Sequence, residues 1–211
     1  MIPTQEEWLS ALEERHGKEL QNLFSSATVA VCGLGGLGSN LATVLARAGI
    51  GRLILIDYDR VDLTNLHRQQ YKANQIGKYK TVALAEHLFE IAPYIKIETI
   101  TQRITQDNYG DLLKDADIIC EAFDDAETKA MLVNNVLETM PDKYLVAASG
   151  MAGMETPNTI RTRKVTKHFY LCGDGVSDVE DTIGLVAPRV MLCAAHQAQT
   201  VLRILAGEFE V

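Results

Sequence analysis

Four short apolar runs punctuate the chain: Thr28 to Cys32, Leu53 to Ile56, Asp117 to Cys120 and Tyr144 to Ala148. None alternates polar with apolar residues. Continuous runs of this length suit strands covered on both faces of a parallel sheet. Helical spacing fills the gaps between them. Leu37 to Ala48 ends at Gly49, a residue suited to close a helix. Leu84, Leu88 and Ile91 recur at i, i+4 and i+7 and stop before Pro93, and another helix starts near Ala126. Ahead of the first strand, Thr4 and Glu7 have capping-box spacing. Leu9, Leu12, His16, Leu20 and Leu23 then predict one helix over 5–24. The pattern changes after residue 155. Asn158 to Val165 and His168 to Cys172 read as antiparallel extended segments. Pro188 opens a last helix with a stripe of Met191, Ala195, Ala198, Leu202 and Leu205. Alternating strand and helix is the α/β pattern. The expected fold is a Rossmann-like, mostly parallel sheet flanked by helices, with an antiparallel extension near 155–172 and helices at both termini. One domain is expected over 1–211.

A chain of 211 residues, 47% hydrophobic and 23% charged, excludes wholesale disorder. No apolar run approaches the roughly 18–20 residues of a membrane span. The first ten residues carry Glu6, Glu7 and Trp8 rather than a basic start and an apolar run, so a cytoplasmic protein with no membrane partner is expected. Lys and Arg number 20 against 28 Asp and Glu, a net charge of −8, which argues against a nucleic-acid partner. The basic stretch from Arg161 to Lys164 reads as a solvated strand edge. The four cysteines, at 32, 120, 172 and 193, form no CxxC pair and suit a reducing compartment.

Directly after the first strand stands Gly33-Leu-Gly-Gly-Leu-Gly38, a G-x-G-x-x-G pattern on Gly33, Gly35 and Gly38, with Gly36 between. Such a loop lets backbone N–H groups at a helix start approach a phosphate. Asp57 ends the second strand, close to where a ribose-binding acid is expected. The loop alone does not choose between a nicotinamide dinucleotide and ATP. Its neighbour does: Asp57 to Gln70 is densely polar, and Lys78 and Lys80 follow. Asn65 and Arg68 are three apart and share a face on a helical turn. Arg68 offers a planar fork to phosphate oxygens, and Lys80 a mobile point charge. Plainer roles stand beside these. Asp57 could cap a turn, Asn65 could belong to one, and Arg68 and Lys80 could be surface cations. Asp59 and Asp62 could be loop structure, and Gln69 could contact a ligand or brace Arg68.

The loop GLGGLGSN, the run DYDRVDLTNLHRQ, the later GKYKT and the block CEAFDDAETK resemble the ThiF/MoeB/HesA family, bacterial relatives of ubiquitin-activating enzymes. APRVMLCAAHQA near the end looks like the short ThiF-like branch linked to thiamine synthesis. The resemblance implies ATP-dependent adenylation of the C-terminal glycine of a small ubiquitin-like sulfur carrier protein ending in Gly-Gly, by a homodimer using Mg²⁺. Carried over, Gly33, Gly35, Gly36, Gly38, Asp57, Asp59, Asn65 and Gln69 would bind ATP. Arg68 and Lys80 would neutralise its phosphates, and Asp124 would hold Mg²⁺. Asp124 could instead cap the helix near Ala126. Arg15 would reach the ATP of the other subunit, or simply face solvent. Asp125 and Lys129 replace the family's usual Asn and Arg. Cys172-Gly-Asp-Gly and Cys193-Ala-Ala-His supply too few ligands for structural zinc, which is not expected. Cys172, ahead of a glycine-rich stretch, is a better candidate for sulfur transfer than Cys193. A molybdopterin-type carrier, an NAD(P)-dependent oxidoreductase and a non-enzymatic scaffold are the competing readings.

Overall fold

In the computed structural model, which describes residues 2–211, all four apolar runs are strands at the middle of one sheet. In chain order the elements are α1 (Gln5–His16), α2 (Lys18–Ser26), β1 (Thr28–Cys32), α3 (Gly36–Arg47), β2 (Arg52–Ile56), α4 (Lys80–Ile91) and β3 (Lys96–Ile100). Then follow α5 (Tyr109–Leu113), β4 (Ile118–Glu121), α6 (Ala126–Thr139), β5 (Tyr144–Ala148), β6 (Arg161–Lys164), β7 (Phe169–Gly173) and α7 (Ala187–Leu205). The sheet order is β3-β2-β1-β4-β5-β7-β6. All neighbours are parallel except β6 and β7.

Each central strand buries both faces. Val29 and Val31 of β1 join Leu41, Leu45, Leu84, Leu88, Val190 and Val201 in one core, under α3, α4 and α7. Ala30 and Cys32 point the other way, to Leu113, Leu132 and Val136 of α5 and α6. Truncating one of these buried leucines to alanine costs about 2–5 kcal/mol, because a cavity adds to the lost transfer energy.

Two expectations need correction, and one strand was missed. The helix over 5–24 is two helices, because Gly17 adopts φ 82° and breaks it. The Thr4–Glu7 capping box at its start is present. The antiparallel extension is present: after a short turn at Pro157–Thr159, β6 and β7 pair antiparallel, and β7 also joins the sheet parallel to β5. Strand β3 escaped the apolar-run criterion because it lies at the sheet edge with most of its residues exposed or half-exposed. Finally, α7 buries Val190, Cys193, Ala194, Gln197, Ala198, Val201 and Ile204, leaving Met191 exposed. The expected stripe was about one residue out of phase.

Candidate active site

The strand order reverses between β1 and β4, and the loops after β1, β2, β4 and β5 surround a cavity of about 420 Å³ there. A crevice at such a switch point is where open α/β sheets take ligands. Gly33, Gly35 and Gly36 form one wall. Gly33 needs φ 90°, and a side-chain carbon on it would lie 2.8 Å from the Ala122 carbonyl oxygen. Gly38 does not line the cavity. It lies beneath the loop, where a side-chain carbon would collide with the Gly33 carbonyl oxygen. Gly35 starts α3 without any side-chain cap, so the first helical N–H groups stay free of one.

Asp57, at the end of β2, is buried and holds the loop. One carboxylate oxygen accepts from the Leu34 N–H at 2.7 Å and the other from the Asp59 N–H at 2.7 Å. A carboxylate has about four lone-pair directions, so bracing leaves capacity for a ligand hydroxyl. The Tyr71 hydroxyl donates to the Leu34 carbonyl at 2.7 Å. Burial, with the Asp57 charge nearby, pushes this phenol well above its usual range and keeps it a donor.

Asn65, Arg68 and Gln69 sit on the following turn and face the cavity. They are fixed from below by α3. Asn40 donates to the Arg68 carbonyl at 3.0 Å, and Ser39 accepts from the Gln70 N–H at 3.1 Å. The buried Gln69 side-chain amide oxygen has no hydrogen-bond partner among the described residues, nor does the Arg68 Nε. Lys80 enters at the start of α4 with its ammonium 2.8 Å from Asp59.

Across the cavity, the loop after β4 presents Asp124, exposed and without a hydrogen bond or ion pair among the described residues. The helix cap expected as its alternative role belongs to its neighbour: Asp125 accepts from the Thr128 N–H at 2.7 Å. Near Asp124 lies an ion pair that spacing did not reveal, its acid buried and its lysine partly exposed. Lys129 contacts the two Glu121 carboxylate oxygens at 2.7 and 2.6 Å and the Ala148 carbonyl at 2.9 Å. Burial pushes the Glu121 carboxyl above its ordinary range, against the pull of Lys129.

The far wall comes from residues 149–152 and 177–179. Arg189, in the first turn of α7, ties them down. It donates to the carbonyls of Ala152, Glu155 and Thr156 and pairs with Asp174 at 2.5 Å. Burial works to raise the Asp174 carboxyl, but hydrogen bonds from Ser177, Val176 and Arg189 outweigh it and leave it at about 2. The stretch after Cys172 is therefore anchored.

Cys172 itself lies within β7, fully buried, not on a loop. Burial pushes the thiols of Cys172 and Cys193 up, so neither is a ready nucleophile. Among the described residues, no three His, Cys, Asp or Glu side chains cluster as a metal site. Arg15 lies exposed on α1 and does not reach the cavity of its own chain. No helix among the described residues is long and apolar enough to cross a membrane.

Fold and cavity together define a Rossmann-like α/β protein with cations and carboxylates gathered at its switch point. The ThiF family model matches residues 9–211, and the chain belongs to the ThiF family. It is 30% identical to an adenylyltransferase and sulfurtransferase, MOCS3, of Dictyostelium discoideum, over 93% of this chain and 49% of that protein. It is also 30% identical to the sulfur carrier protein ThiS adenylyltransferase of Bacillus subtilis, over 91% of this chain and 58% of that one. The chain thus spans about half the length of the curated relatives it matches. Among solved structures, the ATP complex of E. coli tRNA N6-threonylcarbamoyladenosine dehydratase, TcdA, superposes with a TM-score of 0.86 at 21% identity. That match covers 99% of this chain and 98% of the other.

Proposed function

We propose that this protein binds ATP and adenylates the C-terminal glycine carboxylate of a ubiquitin-like sulfur carrier protein, a ThiS-like one ending in Gly-Gly. The observation that carries the reading is the cavity itself. One wall is a glycine loop at a helix start, Arg68 and Lys80 stand beside it, and the uncommitted Asp124 faces them. The names of the Bacillus subtilis and Dictyostelium discoideum relatives support the same chemistry. The ATP-bound fold neighbour supports ATP over a nicotinamide dinucleotide.

The reaction needs no protein nucleophile. The carrier carboxylate attacks the α-phosphorus, a C–O–P linkage forms, and the α–β phosphoanhydride breaks to release pyrophosphate. No proton has to move, because the carboxylate is already charged. Positioning and neutralisation of phosphate charge are what the site must supply. Asp57 and Asp59 would hold the ribose side, and Asn65 and Gln69 would supply amide contacts. Arg68 and Lys80 would meet charge on the phosphates. A free carboxylate beside a phosphate pocket is a donor Mg²⁺ accepts, since the ion usually takes one or two carboxylates plus phosphate oxygens. Asp124 fits that role, and a bound Mg²⁺ there would offset negative charge on the triphosphate.

Arg15 would complete the site only from a second subunit of a homodimer. Mixing Arg15→Ala with Asp124→Ala tests this: after subunit exchange, up to about a quarter of normal activity returns if each mixed dimer keeps one intact site. No recovery removes Arg15 from the site.

Carrier-dependent ATP–pyrophosphate exchange tests the whole reading. Exchange with a Gly-Gly carrier, abolished by deleting its last glycine, is expected. A molybdopterin-type carrier that outperforms a ThiS-like one would reassign the partner. Activity on tRNA alone would assign a reaction nearer that of the fold neighbour. The net charge of −8 disfavours that outcome, because nucleic-acid affinity rests on neutralising phosphates with Lys and Arg.

A further inference from the structure

The cavity wall holds a second lysine besides Lys80. Lys129 lines the cavity, and its side chain is 25% exposed. A lysine ammonium has three N–H donors. All three have acceptors already: the two Glu121 oxygens and the Ala148 carbonyl. Lys129 therefore has no donor left for a ligand. Its acceptors lie at the ends of two neighbouring strands, β4 and β5.

Glu121 is fully buried and does more than balance that charge. Its Oε1 also accepts from the Phe123 N–H at 2.7 Å, curling the chain between the end of β4 and Asp124. Its backbone carbonyl accepts from Gln197 of α7 at 2.9 Å. The loop that carries Asp124 is thus tied to β5 through the Glu121 carboxylate and the Lys129 ammonium, and to α7 through the Glu121 backbone carbonyl.

We infer that Glu121 and Lys129 are positioning residues that set the aspartate of the Asp124 loop for a divalent cation on the bound nucleotide. The inference builds on the ATP reading but is independent of the carrier. Groups that orient a metal ligand typically change metal affinity about 10–100-fold when removed.

Calorimetry of ATP binding, with Mn²⁺ and separately in EDTA, tests it on the intact chain. Wild type is expected to bind ATP more tightly with Mn²⁺. Lys129→Met strands a buried carboxylate and risks unfolding. The double variant Glu121→Gln/Lys129→Met removes both charges and keeps an acceptor for Phe123. It is expected to melt near wild type and lose about tenfold or more of the Mn²⁺ enhancement, while metal-free ATP affinity stays within about threefold. Lys129→Arg is expected to restore the enhancement. A folded double variant with the full enhancement, or an arginine variant that is folded and unrescued, overturns the proposal. A wild type that shows the Mn²⁺ enhancement but no exchange with any carrier would sink the carrier reading alone.

Discussion

Two lysine–carboxylate pairs border the same cavity and are built in opposite senses. In the Lys80–Asp59 pair the lysine is buried, 7% exposed, and its acid is 49% exposed. In the Lys129–Glu121 pair the acid is the buried partner, at 0%, and the ammonium's three donors are all taken. The first pair is open. Asp59 can turn to solvent or ligand, and Lys80 makes one hydrogen bond to a side chain, so donors remain for an incoming anion. The second is closed and binds strand ends to one another. A cation at a pocket is a candidate phosphate ligand when its donors are free, and residue type alone does not say so.

The comparison can be broken at several points, in decreasing order of effect. Asp124→Ala should abolish pyrophosphate exchange in a protein that still melts cooperatively; exchange within about threefold of wild type would remove the metal role. Arg68→Ala and Lys80→Ala should each lower kcat about a hundredfold, with smaller changes in the KM for ATP, since they meet charge that grows in the transition state. A rise in KM alone would make them ground-state binders. Asp59→Asn tests the open pair. It should change kcat by less than about tenfold, because a partner that is half exposed contributes little to holding Lys80, with any lost ribose contact showing in the KM for ATP. A loss as large as that of Lys80→Ala would show this pair to be as closed as the other. Cys172→Ala should leave acyl-adenylate formation unchanged within about twofold, since the thiol is buried and the nucleophile comes from the carrier. Loss of exchange in a folded variant would contradict this.

The parts of the molecule that could be read in the sequence follow from burial. β1, β2, β4 and β5 are covered on both faces, so their apolar runs stand out. β3 has one neighbour and mostly solvated side chains, so Lys96 and Glu98 disguise it. The break at Gly17 depends on a backbone angle that periodicity does not encode. In the site, Gly33, Asp57, Asn65, Arg68, Gln69 and Lys80 stood out as a glycine loop and the polar stretch after the second strand, while Asp124 was carried over from the family resemblance; all seven line the cavity. Glu121 was hidden because it ends an apolar strand and its partner Lys129 stands eight residues on, across a loop. The clasp of Arg189 on Asp174 joins residues from different elements and has no sequence period at all.

Central to the account is attack by the carrier's own carboxylate on the α-phosphorus. The direct measurement uses a Gly-Gly carrier labelled with ¹⁸O in its terminal carboxylate, incubated with the protein, ATP and Mg²⁺. Hydroxylamine then discharges the adenylate by attacking its carbonyl carbon. The predicted result is AMP carrying ¹⁸O from the carrier, with the hydroxamate left on the terminal glycine. Unlabelled AMP, or ADP and phosphate in place of AMP and pyrophosphate, would contradict it.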